Sequence, residues 1–73
     1  MITCQHVYIL TSRRGDVVGV YTTQIAAYRE ACTQEGYPLE YSGNDTYAEC
    51  GEKHMTGIAI EYYIERHVLK GDT

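Results

Sequence analysis

The sequence predicts an α+β fold in which a small antiparallel three-stranded sheet, in the order 2-1-3, carries one helix on one face. Three observations predict it. Residues Val7–Leu10 and Val17–Tyr21 are short apolar runs joined by a glycine-bearing turn, residues 24–35 have an apolar stripe at helical spacing, and residues 58–68 alternate with the period of a strand. The chain order is ββαβ, in a single domain over residues 1–73.

The hairpin comes first. Its two runs are rich in β-branched and aromatic residues, which suit a pleated surface. Between them, Ser12-Arg13-Arg14-Gly15-Asp16 offers a three-residue loop in which Gly15 takes a left-handed conformation. Setting Ser12 opposite Asp16 pairs Leu10 with Val18 and Tyr8 with Val20 on one face, and Ile9 with Gly19 and Val7 with Tyr21 on the other. Both faces are then apolar, so both call for cover.

Thr23 can cap the next segment, QIAAYREACTQE, by accepting from a free backbone N–H, and Gly36 can end it. Pro38 forbids continuation. At 100° per residue Ile25, Ala27, Tyr28, Ala31 and Cys32 form one stripe, and Ala27 and Ala31 allow close approach to the sheet. Residues 37–57 show no clean period. Asp45 can cap a short extra helix over 45–50, with an irregular strand around Tyr47 as the alternative. In the last element Ile58, Ile60, Tyr62, Ile64 and Val68 alternate with Ala59, Glu61, Tyr63, Glu65 and His67, and the tail Gly71-Asp72-Thr73 is expected to fray. Strand one is central because it is apolar on both sides. The face away from the helix would then show Glu61, Tyr63, Glu65 and His67 beside apolar residues of the hairpin.

A chain of this length builds only a small core and gains from a partner. No apolar run is long enough to span a membrane, and Met1-Ile2-Thr3-Cys4-Gln5-His6 lacks the basic start and apolar stretch of a secretion signal, which predicts a reducing cytoplasm. The odd number of cysteines, Cys4, Cys32 and Cys50, agrees. The net charge is −4, and from Glu30 to Glu65 there are eight carboxylates against the one Lys53. An acidic middle argues against nucleic acid as a partner and suits a basic protein surface, or simply a solvated face. Eight tyrosines with neither Phe nor Trp serve a wet-edged core and a binding surface equally.

Chemistry is harder to find. Cys4-x-His6 and Cys50-x3-His54 lack zinc-finger spacing, so no metal is expected, and Cys32 reads as a small buried hydrophobe. Glu61 and Glu65 would share a strand face about 13 Å apart, too far for paired carboxylate catalysis. His67 has no nucleophile to serve, and phosphate-binding glycine loops are absent. Neither a catalytic residue nor a cofactor is expected.

The pattern VYILT, a polar turn with Gly, GVYTT, an alanine-bearing helix and the closing EYYIERHVL resembles a loose group of small accessory proteins encoded by bacteriophages and prophages. The resemblance covers Val7–Ala31 and Ile58–Leu69 and leaves 37–57 unmatched. It implies a compact ββαβ unit from genomes whose small acidic proteins bind and block host proteins. The expectation is therefore a non-enzymatic, host-cytoplasmic binding protein, a homodimer, that covers a defence complex or part of the transcription machinery. Its contact residues would be Tyr63, Glu61, Glu65 and His67, with Tyr41, Asp45, Tyr47 and Glu49. A nucleic-acid-binding regulator using Arg13, Arg14, Arg66 and Lys70 is the alternative.

Overall fold

The computed structural model describes residues 5–69, and side chains over 6–68. Its elements are β1 (Gln5–Ser12), β2 (Val17–Tyr21), α1 (Gln24–Glu35), β3 (Glu40–Gly43), β4 (Tyr47–His54) and β5 (Gly57–Leu69). They build one antiparallel five-stranded sheet, β2-β1-β5-β4-β3, with α1 packed on β1, β2 and β5. This corrects the expected three-stranded ββαβ unit. The stretch without a clean period supplies two further strands, and in place of the expected helix over 45–50 stand the end of the β3–β4 turn and the start of β4.

The reason lies in residue size. Along Tyr47-Ala48-Glu49-Cys50 the chain does alternate, burying Ala48 and Cys50 completely while Tyr47 and Glu49 face away. Small buried residues leave only a faint period in the sequence. Asp45, expected to cap a helix, instead lies in a turn held by its neighbour: the Asn44 side-chain oxygen accepts from the Thr46 N–H at 2.9 Å, the Thr46 hydroxyl at 2.8 Å and the Tyr47 N–H at 3.2 Å. Those bonds reverse the chain into the β3–β4 hairpin instead of starting a helix.

At the first hairpin the turn forms as expected. Gly15 has φ 98°, its N–H donates to the Ser12 carbonyl at 2.9 Å, and the Ser12 N–H donates to the Asp16 carbonyl at 2.8 Å. The register beyond it differs. Thr11 pairs with Val17 but Leu10 pairs with Gly19, Ile9 with Val20 and Tyr8 with Tyr21, so Val18 is the extra residue of a bulge. This displaces every expected pair. It also carries Tyr21 onto the helix face, where its ring lies over Gly19; a Cβ there would meet the Tyr21 hydroxyl at 2.5 Å.

Helix α1 is set by its ends. The Thr23 hydroxyl accepts from the Ala26 N–H at 3.1 Å, and Gly36, at φ 86°, closes the last turn onto the Cys32 carbonyl. Ala27 and Ala31 are fully buried against the sheet. Tyr28 donates its hydroxyl to the Leu39 carbonyl at 2.5 Å, and the Leu39 N–H donates to the Cys32 sulfur at 3.4 Å, so Leu39 is held as a plug beside the helix. Ile25, expected in the stripe, is instead 61% exposed.

The core is Leu10, Ala27, Ala31, Leu39, Ala48, Cys50, Tyr62 and Ile64. In β5 only Tyr62 and Ile64 of the expected apolar set join it, while Ile58 and Val68 are 39% and 48% exposed. A second bulge explains the break: Cys50 pairs with Tyr62 but Gly51 pairs with Ile60, leaving Glu61 extra. Beyond it Glu52–His54 and Gly57–Ala59 pair only with each other, forming an arm that extends the molecule to 50 Å. Among the described residues no helix is long and apolar enough to cross a membrane.

Candidate functional site: the uncovered sheet face

Side chains alternate along each strand, so the registers assign each residue to the helix face or to the opposite one. Two rows cross the opposite face. One runs Val17, Thr11, Tyr63, Glu49, Ser42, and the other Val20, Ile9, Glu65, Tyr47, with Val7 beside His67 next to it. No described element packs over them. The face is two-toned: its β1–β2 half is aliphatic, with Val20 57% and Val17 64% exposed, and its β4–β5 half is tyrosine and carboxylate.

In that second half Tyr47 is opposite Glu65 and Glu49 is opposite Tyr63, which makes a checkerboard with the rings on one diagonal and the carboxylates on the other. The rings are near parallel, 24° apart with centroids at 6.2 Å. Tyr47 donates its hydroxyl to Glu49 Oε2 at 3.3 Å, and His67 Nε2 lies 2.8 Å from Glu65 Oε1. Loss of water and then the Glu49 carboxylate raise the Tyr47 pKa, so the phenol stays a neutral donor. Among the described residues no lysine or arginine lies within ion-pair distance of Glu49 or Glu65.

Of the expected contact residues, Tyr63, Glu65, His67, Tyr47 and Glu49 come together here. Glu61 does not. The bulge turns it to the other end of the sheet, 3.9 Å from Arg13, in a depression shared with Gln34 and Glu35 of α1. It therefore shares no strand face with Glu65. Tyr41 is on the helix side, edge-on to Tyr28 with centroids at 5.8 Å, and its hydroxyl donates to Gln24 Oε1. Those three residues and Ile25 line an apolar hollow of about 420 Å³. Asp45 is at the exposed β3–β4 turn, at the sheet edge. Val7, Ile9, Val17 and Val20 join the face without being among the expected contact residues; the apolar character of both hairpin faces is the sequence signal for them.

Among the described residues, chemically reactive groups do not converge. Cys50 is buried in the core, where loss of water and then Cys32 push its thiol up to about 11, whereas His54 is exposed on the arm beside Glu52 at 3.3 Å. Cys4 lies outside the described residues. Among those described, no group of three or more His, Cys, Asp and Glu can hold a metal ion. Arg13 and Arg14 sit at the hairpin turn and Arg66 lies across from Tyr8, toward the other end of β1, so these cations do not form one cluster. Lys70 is outside the described residues.

A scan against protein-family models, a search of curated proteins and a search of solved structures each return no match. The likeness to small phage proteins therefore rests on the residues quoted for it. Its implied ββαβ unit is superseded by the five-stranded sheet, because residues 37–57, unmatched in sequence, supply β3, β4 and the start of β5.

Proposed function

We propose that the protein is a non-enzymatic binding module that covers part of another protein's surface with its uncovered sheet face. One observation carries this reading: a face spanning all five strands combines aliphatic and tyrosine surface with carboxylates, and nothing described in the chain packs on it. Tyrosines on rigid strands give contact area at low entropic cost. With the resemblance to small phage proteins, the partner is a host bacterial protein, and the effect is obstruction of its working surface.

The test is capture from a bacterial lysate with the tagged full chain and with Tyr63→Ala/Glu65→Lys, at low and moderate salt. A protein retained by the native chain and lost by an equally stable variant supports the reading. Equal retention by both removes this face from the binding role. Recovery of nucleic acid alone, lost as salt rises, would replace the reading with that of a nucleic-acid-binding regulator.

A further inference from the structure

We propose that the checkerboard of Tyr47, Glu49, Tyr63 and Glu65 receives an arginine side chain from a basic segment of the partner protein. This rests on the binding-face reading above and names the chemistry of its occupant. The argument starts from charge. Glu49 and Glu65 are directly opposite the two tyrosines in register, so sheet geometry sets their backbones about 7–8 Å apart on one diagonal. A single cation between them is within reach of both carboxylates. Their only described ion-pair neighbour is His67, at 2.8 Å from Glu65, and no described lysine or arginine lies within ion-pair distance of either carboxylate. Among the described residues nothing else offsets the negative charge on this half of the face.

The rings then choose among cations. Tyr47 is 41% exposed and nearly parallel to Tyr63, so the pair offers flat π-surface beside the carboxylates. A guanidinium is planar, weakly hydrated and forked, so it lies on a tyrosine ring while its N–H groups reach a carboxylate. An ammonium is compact and strongly hydrated, and gains less from the ring. The aliphatic half, Val7, Ile9, Val17 and Val20, would hold apolar side chains of the same segment.

Other occupants fit less well. A second copy of the chain on the same face would meet the checkerboard either with its own carboxylates, which repel, or with the aliphatic half, which offers them no cation. Nucleic acid would meet the same carboxylates with its phosphates.

The test uses the ¹⁵N-labelled full chain, titrated with acetyl-Gly-Ser-Arg-Arg-Ser-Gly-amide and with the same peptide carrying lysine or citrulline for arginine. The arginine peptide should move the amide signals of Tyr47, Glu49, Tyr63 and Glu65, bind roughly two- to fivefold more tightly than the lysine peptide, and weaken with salt. Citrulline, equally planar but uncharged, should leave the signals in place. Glu49→Gln/Glu65→Gln should weaken the arginine peptide by roughly tenfold, and Tyr63→Leu should erase its advantage over lysine.

Equal binding of lysine and arginine peptides, shifts confined to other residues, or no shift overturns the inference. So does a dimer in sedimentation equilibrium whose formation moves these same amides, because the occupant is then a second copy. The two proposals fail separately. If Tyr63→Ala/Glu65→Lys still abolishes capture of a partner while the arginine peptide is ignored, only the arginine assignment falls.

Discussion

The hydroxyl of Tyr62 donates to Glu35 Oε2 at 2.7 Å, joining the middle strand of the sheet to the last residue of the helix. Tyr62 is 8% exposed, and its loss of water together with the Glu35 carboxylate pushes its pKa up to about 12. A bond to a charged acceptor at the rim of a small core is worth more than an average one, about 1.5–3 kcal/mol. Tyr62→Phe, which keeps the ring, should therefore lower Tm by several degrees in calorimetry. An unchanged Tm would show that the bond is solvated away.

Stability should also fall at alkaline pH. Both Cys50 and Tyr62 have folded-state values above their ordinary ones, about 11 against 9.0 and about 12 against 10.0, because burial disfavours their anions. The unfolded chain releases these protons first. The stabilisation is whole below pH 9, declines from there as Cys50 and then Tyr62 ionise in the unfolded state, and is lost by the folded values. Urea midpoints measured from neutral to alkaline pH should show the decline starting near pH 9, and Cys50→Ala should delay its onset.

Asn44 gathers three donors in the β3–β4 turn. Asn44→Ala should cost about 1–2 kcal/mol, and Asn44→Asp, which keeps the accepting oxygen, much less. Hydrogen exchange should quicken first in β3, an edge strand of four residues.

In β4, opposite the β5 bulge, a Cβ on Gly51 would come within 2.8 Å of the Ile60 Cα, a backbone atom with no room to yield. Gly51→Ala should thus cost about 1–3 kcal/mol and loosen the arm. Gly15→Ala should cost less, about 1 kcal/mol: nothing lies within 4 Å of its would-be Cβ, and only its φ of 98° is unfavourable. Denaturant melts of the two variants give the comparison directly.

Substitutions on the uncovered face should leave stability alone. Tyr63 is half-buried only by its neighbours on that face and Glu65 is exposed, so Tyr63→Ala/Glu65→Lys should shift the folding free energy by no more than about 1 kcal/mol. A larger loss would mean that the Tyr47–Tyr63 pair is structural.

What the chain states about itself locally, it states plainly. Gly15 marks the hairpin turn, Thr23 and Gly36 bound the helix, and the alternation through Tyr62 and Ile64 marks a strand, because each signal depends on neighbours a few residues away. Most of the candidate face was legible for the same reason: Tyr63, Glu65 and His67 share one parity of one strand. The second hairpin was not. Ala48 and Cys50 are small enough to be overlooked as buried residues, and Asp45 reads as a helix cap although the turn there is built by Asn44. Only the tertiary structure decided the bulges at Val18 and Glu61, which send Tyr21 under the helix and Glu61 away from Glu65. Pairing across strands sets these, since one extra residue reverses the side on which every later side chain falls, and nothing in the local spacing records which strand will be the partner.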